Sequence, residues 1–226
     1  MEQFRCNLGI FTQKELNRIR NAQVLIVGAG GLGGYLANGF VRMGVKSIVV
    51  VDNDRFEKRN LNRQLFSSHE NLGRFKSDVV VEALDAVSPD THLMSCPFSV
   101  EDLDDETLKG VDMIVDAAGN AETKKYLEKL AETYKKPLLH GAIGGWYGQV
   151  GIVLPGKGIV NKLYDSSTRS VEEDLRCPTF TPAVVANLMV TEFAKYYGGK
   201  KALVNRILLV NLLEHTYDIL FDDDAE

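Results

Sequence analysis

Residues Val24–Gly34 read VLIVGAGGLGG, residues Ile48–Phe66 read IVVVDNDRFEKRNLNRQLF, and residues Gly73–Asp78 read GRFKSD. The apolar run Val24–Val27 is a short buried strand. Gly28, Gly30 and Gly33 complete a G-x-G-x-x-G turn, which lets backbone N–H groups approach phosphates at a helix N-terminus. A second apolar strand, Ser47–Val51, ends at Asp52, where a dinucleotide-binding fold places the carboxylate that holds a ribose. The stretch then departs from an ordinary Rossmann domain. Asn60-Leu61-Asn62-Arg63-Gln64 and Lys76 put two cations thirteen residues apart on either side of a loop, an arrangement suited to a nucleoside triphosphate. The glycine turn has no Gly-Lys-Ser/Thr ending, so it is not a P-loop, and cations for phosphate must come from elsewhere in the chain. Gly28–Gly33 and Asp52 alone leave a dehydrogenase open, but that reading gives NLNRQ no role.

Outward from this stretch, helical and strand patterns alternate. Thr12-Gln13-Lys14-Glu15 is a capping box that opens a helix running to about Arg20. Helices are expected from about Leu32 to Met43, Lys76 to Val87, Val100 to Lys109 and Ala121 to Tyr134, and strands at about His92–Ser95, Met113–Asp116 and Pro137–Ile143. This βαβ repetition predicts an α/β, Rossmann-like, doubly wound and mainly parallel sheet. After Gly144 the pattern changes. Trp146–Leu154 reads as an antiparallel strand, Pro155–Thr179 as a long crossover loop and Pro182–Tyr197 as a helix. Ile207–Leu213 and Thr216–Leu220 read as further strands, so the sheet is expected to end in antiparallel C-terminal strands. Residues 1–226 read as one domain, a size that buries a full sheet between two helical layers.

Composition narrows the class. A hydrophobic content of 45% with 25% charged residues gives no disorder signature, and a net charge of -5 gives no overall attraction to nucleic acid or an anionic membrane. No apolar run approaches the roughly twenty residues of a membrane span, and no signal-peptide pattern is present. A reducing, cytoplasmic setting is the expectation. Cys6, Cys96 and Cys177 are too few and too scattered for a disulfide framework or a four-sulfur zinc site.

The segments GAGGLGG, VDND, NLNRQ and GRFKS, followed by VDAAGN (Val115–Asn120), HGAIGGWYGQV (His140–Val150) and PTFTPAVVA (Pro178–Ala186), resemble in order those of the ThiF/MoeB/HesA family, bacterial relatives of ubiquitin-activating enzymes. The resemblance implies a domain that binds ATP with magnesium and adenylates the C-terminal glycine of a ubiquitin-like sulfur carrier ending in Gly-Gly, for thiamine, molybdopterin or related sulfur assimilation. It also implies a homodimer. Nucleotide contacts would come from Gly28, Gly30, Gly31, Gly33, Asp52, Asn60, Arg63, Gln64, Lys76 and Asn120. Arg63 and Lys76 would carry the electrostatic part of catalysis, since a carboxylate must meet an anionic α-phosphate.

Three departures from the family pattern stand out. Where the family reads D-x-x-D-N, this chain reads Asp116-Ala117-Ala118-Gly119-Asn120, so the second carboxylate is missing at Gly119 and Asp116 becomes the candidate magnesium ligand, with strand capping or salt bridging as its alternative. The family's N-terminal Arg, which reaches the partner subunit, is replaced by Cys6, with Arg5 one residue early. The C-x-x-C pairs of many members are absent, and no zinc site is expected. Cys177, in Arg176-Cys177-Pro178 before a helix N-terminus, stands where thioester- or persulfide-forming members carry their cysteine. An inert loop cysteine is the equal alternative. Cys96 reads as packing and His140 as a satisfied core histidine. Gly141, Gly144, Gly145 and Gly148 allow either the approach of a partner's extended tail or plain turns, and Trp146 and Tyr147 either a tail groove or a dimer surface. A non-catalytic scaffold and an enzyme activating a carboxylate on a modified tRNA base complete the alternatives.

Overall fold

The computed structural model describes residues 2–164 and 177–221. Eight strands form one sheet in the order β3-β2-β1-β4-β5-β6-β7-β8. These are β1 (Gln23–Val27), β2 (Ser47–Val51), β3 (His92–Cys96), β4 (Met113–Asp116), β5 (Leu138–Gly144), β6 (Tyr147–Val153), β7 (Ile207–Asn211) and β8 (Thr216–Leu220). The first five pair in parallel and the last three join antiparallel. β1 and β2 are continuous apolar runs because both of their faces are covered. Val24 and Ile26 of β1 enter one core and Leu25 and Val27 the other.

On the first face lie α1 (Gln13–Asn21), α2 (Gly31–Met43), α3 (Lys76–Asp85) and α7 (Phe180–Gly198). Phe40 of α2 meets Phe193 of α7 with ring centroids 4.5 Å apart. On the second face lie α4 (Asp105–Gly110), α5 (Ala121–Thr133) and α6 (Ile159–Leu163). The Thr12 capping box forms as read, with the Thr12 N–H donating to Glu15 Oε2 at 2.7 Å and Thr12 Oγ1 accepting from the Glu15 N–H at 3.3 Å. Among the described residues, no helix is long and apolar enough to cross a membrane.

Two expectations about elements need correction. The helix read over Val100–Lys109 divides into a single 3₁₀ turn at Val100–Asp102 and α4, because the Asp104 side chain accepts the Thr107 N–H at 2.7 Å and starts a new helix there. The loop read over Pro155–Thr179 contains α6, whose first N–H groups are taken up by buried Glu128 of α5. Val160 and Asn161 donate to its carboxylate at 2.9 and 2.8 Å. The rest of that loop, residues 165–176, lies outside the described residues.

Strand order reverses direction at β1: β2 and β3 lie to one side, β4 and β5 to the other. A crevice therefore opens beyond the C-terminal ends of β1 and β4, where open α/β sheets bind their ligands.

Candidate active site

The glycine loop shapes this crevice. Gly28 has φ +100° and donates its N–H to Val51 O at 2.8 Å, and a Cβ there would stand 2.4 Å from Ala117 O. A Cβ on Gly33 would stand 1.7 Å from Gly28 O, so strand and helix close only if both positions lack side chains. Gly30 caps α2 without a side-chain hydrogen bond, which leaves N–H groups of the first turn for a ligand.

A cavity of ≈ 330 Å³ lies over this loop, lined by Gly28, Gly30 and Gly31, by Asp52 and Asp54 after β2, by Arg59, Asn60, Arg63 and Gln64, by Lys76, by the turn after β4 (Ala117–Gly119), and by Ile143 and Cys177. Asp52 is engaged by the loops around it. Ala29 N–H reaches Oδ2 at 2.6 Å and Asp54 N–H reaches Oδ1 at 2.8 Å. Burial pushes its carboxyl above the ordinary value, with Lys76 and these two N–H groups pulling the other way. Lys76 opens α3 with its side chain buried and its Nζ 2.7 Å from Asp54 Oδ2. Arg63 Nη1 donates to Arg59 O and to Asn62 Oδ1, both at 2.9 Å. Its partners are neutral, so its charge faces the cavity without a carboxylate of its own among these contacts.

Asn60 is buried and shapes the loop. Its Oδ1 accepts the Glu57 N–H at 2.8 Å and its carbonyl accepts from Arg63 and Gln64. Gln64 is buried too, and its Oε1 has no hydrogen-bond partner. A buried amide oxygen left unpaired is costly, so this atom marks a place for a donor on a ligand. An uncapped helix N-terminus, two arginines and a lysine on one cavity fit the polyphosphate of a nucleotide.

Asp116, the candidate magnesium ligand, is not in the cavity wall. It is fully buried, with Nζ of equally buried Lys124 3.4 Å from Oδ1, the Ala118 N–H 3.1 Å from the same oxygen and His140 Nδ1 2.7 Å from Oδ2. Burial pushes its carboxyl up, but the Lys124 ammonium, followed by His140, outweighs that and holds it below the ordinary value. Lys124 also donates to Gly141 O at 2.7 Å, so the cluster ties β4 to β5. A divalent cation at Asp116 would have to displace this ammonium, and the arrangement does not fit magnesium. Asn120 likewise is not in the cavity wall; it caps α5, its Oδ1 accepting the Thr123 N–H at 2.8 Å. Arg5 sits in a 3₁₀ turn, Glu2–Asn7, whose Phe4 packs beside Gly44 at the C-terminal end of α2, about 20 Å from the glycine loop.

Cys177 reaches the cavity, half-buried, with its carbonyl accepting Asn62 Nδ2 at 3.1 Å and its Sγ 3.7 Å from Pro178 O. Arg176 is outside the described residues. Gly141 and Gly148 serve helix packing: a Cβ would stand 2.2 Å from Met189 Sδ and 2.3 Å from Val185 Cγ2 of α7. Gly145, at φ +56°, makes the β5–β6 turn. Exposed Trp146 on that turn stacks on Phe180 with centroids 4.5 Å apart. The sequence reading passed over Asp54, Arg59 and Lys124. The second acid of VDND was the available signal for Asp54, but nothing in a linear pattern distinguishes Arg59 from any loop arginine or Lys124 from any lysine on a charged helix.

The ThiF family model matches residues 4–222. The sulfur carrier protein adenylyltransferase of Thermus thermophilus is 30% identical over 221 residues, 88% of this chain and 78% of that protein. Ubiquitin-activating enzyme E1 1 of Candida albicans is 30% identical over 180 residues, 74% of this chain but 17% of that protein. The tRNA threonylcarbamoyladenosine dehydratase of Haemophilus influenzae is 28% identical over 142 residues, 62% of this chain and 54% of that protein. Among solved structures, Escherichia coli MccB with ATP superposes with a TM-score of 0.74 at 20% identity, covering 91% of this chain and 64% of that one, which is a likeness of fold.

Proposed function

Because the chain belongs to the ThiF family, we propose that its cavity binds ATP and that it adenylates the C-terminal glycine of a ubiquitin-like sulfur carrier. The observation that carries the reading is the meeting of Arg63, Lys76 and the uncapped α2 N-terminus on one cavity. An oxygen of the carrier's carboxylate attacks the α-phosphorus, the bond from that phosphorus to the bridging oxygen breaks, and pyrophosphate leaves with the electron pair. Both reactants are anions. Arg63 and Lys76 lower their repulsion, and the helix N–H groups hold the phosphates in line. Magnesium bound with the nucleotide would neutralise part of its charge; among the protein's groups, Asp116 is not the one to hold it. The exposed Trp146–Phe180 pair offers an apolar seat for the carrier's tail. The protein acts as a homodimer, each chain a single adenylation domain.

The test is ATP–pyrophosphate exchange with small carriers ending in Gly-Gly. Carrier-dependent exchange supports the reading, and no ATP binding at all defeats it. A scaffold that binds nucleotide without chemistry is the second reading, favoured by the missing carboxylate at Gly119 and by the engagement of Asp116 with Lys124. The tRNA dehydratase among the relatives keeps a third substrate in view, but a chain with net charge -5 is a poor match for a polyanion.

A further inference from the structure

Arg59 lines the cavity although it belongs to none of the motifs above. Its guanidinium is turned to Glu57, with Nε 2.8 Å from Oε2 and Nη2 3.2 Å from Oε1, and the two side chains are 78% and 56% exposed. An exposed pair of this kind is weak and readily exchanged. The backbone beneath it is fixed, because Arg63 Nη1 donates to Arg59 O at 2.9 Å.

The charge in the wall gives this residue a task. Three cations, Arg59, Arg63 and Lys76, share the lining with two carboxylates, Asp52 and Asp54. Lys76 is matched by Asp54 at 2.7 Å, and Asp52 adds a second negative charge to the same wall. With Arg59 held by Glu57, the formal charges of the wall sum to zero, and Arg63 and the α2 N-terminus are left to draw the triphosphate. Once Arg59 lets go of Glu57 the wall gains a whole positive charge, carried by a planar fork that suits two phosphate oxygens better than one carboxylate.

We propose that Arg59 exchanges Glu57 for the β- and γ-phosphates of the nucleotide and follows them as pyrophosphate departs, which makes it the residue that tells a triphosphate from a monophosphate. The proposal rests on the ATP reading above. No covalent step is involved, only replacement of one anionic partner by another. Glu57 is then a competitor, keeping Arg59 extended beside the cavity while it is empty and receiving it back after release.

Isothermal titration of the full chain with ATP and with AMP, in magnesium buffer, tests this on the wild type, Arg59→Ala and Glu57→Gln, with thermal melts to verify folding. Arg59→Ala should weaken ATP binding about tenfold, the scale of one lost charge-assisted hydrogen bond, and leave AMP within about twofold of wild type. Glu57→Gln, which removes the competitor, should tighten ATP by about two- to fivefold and leave AMP alone. An unchanged ATP affinity in Arg59→Ala overturns the proposal, as does a parallel loss of AMP or a Glu57→Gln variant that binds ATP more weakly. These results leave the ATP reading intact. If the wild type binds no ATP, the reading itself fails and the role of Arg59 falls with it.

Discussion

Gly119 lines the cavity at the turn after β4, and a Cβ built on it meets nothing within 4 Å. The substitution Gly119→Asp therefore adds a carboxylate to the wall without a clash, and its φ lies outside the left-handed range that would strain a side chain. The same wall carries Arg59, Arg63 and Lys76 against Asp52 and Asp54, so the new carboxylate joins a lining that holds charges of both signs. Replacing an exposed glycine also lowers the entropy of the unfolded chain, so the variant should be at least as stable as its parent. If the missing carboxylate limits the chemistry, restoring it supplies one group acting on the transition state. Such groups are worth about 10²–10³ in kcat. An unoptimised replacement should recover at least about tenfold, equivalent to ~1.4 kcal/mol of barrier. The assay is carrier-dependent ATP–pyrophosphate exchange beside a thermal melt and an ATP titration. A variant that folds, binds ATP as the wild type does and exchanges no faster would refute the reasoning.

Arg63→Ala and Lys76→Ala should each reduce exchange by at least about 10²-fold, and unchanged rates in both would show that the phosphates bind elsewhere. Asp116→Ala should act on the fold first. It strands the fully buried Lys124 ammonium, a cost of roughly 3–5 kcal/mol, so the melt should fall by roughly 10 °C in a chain of this size. A stable Asp116→Ala variant with full loss of exchange would instead indicate a direct role. The pH dependence has a definite sign. Asp116 is held below its ordinary value of 3.8, so its contribution is present above that value and lost as the pH falls through the lower folded one. In Lys124→Met that loss should begin at higher pH, as read from urea midpoints across an acid series. Cys177→Ser should leave exchange within about threefold if the thiol takes no part in adenylation, since the two side chains are nearly isosteric; a loss beyond about tenfold would assign the thiol to that step.

Much of the fold was legible because the sheet is covered on both faces. Runs such as Val24–Val27 and Met113–Val115 are apolar throughout, and the glycine turn lies between a strand and a helix as its spacing requires. Helix starts were harder, since they depend on which side chain finds a free N–H. Asp104 restarted a helix that reads as continuous, and Glu128, a residue of another helix, caps α6. The site divides the same way. Arg63, Gln64, Lys76, Asp52, Asn60 and Gly28, Gly30 and Gly31 gather on the cavity, whereas Gly33 packs against Gly28 behind it. Asp116 and Asn120 sit in the right motif, but the Asn120 oxygen caps its own helix at the Thr123 N–H, and those of Asp116 are engaged by Lys124 and His140, which only the packing of α5 and the pairing of β5 with β4 bring within reach. A linear pattern names a carboxylate; it does not say which of its lone pairs remain for a ligand.

The most direct measurement is the intact mass of a small carrier ending in Gly-Gly after incubation with this protein, ATP and magnesium, quenched in acid to preserve an acyl-adenylate. Adenylation predicts a carrier heavier by one AMP moiety with the wild type and far less of it with Arg63→Ala. A carrier of unchanged mass in every reaction, under conditions where ATP binding is saturated, would contradict adenylation and leave a nucleotide-binding scaffold.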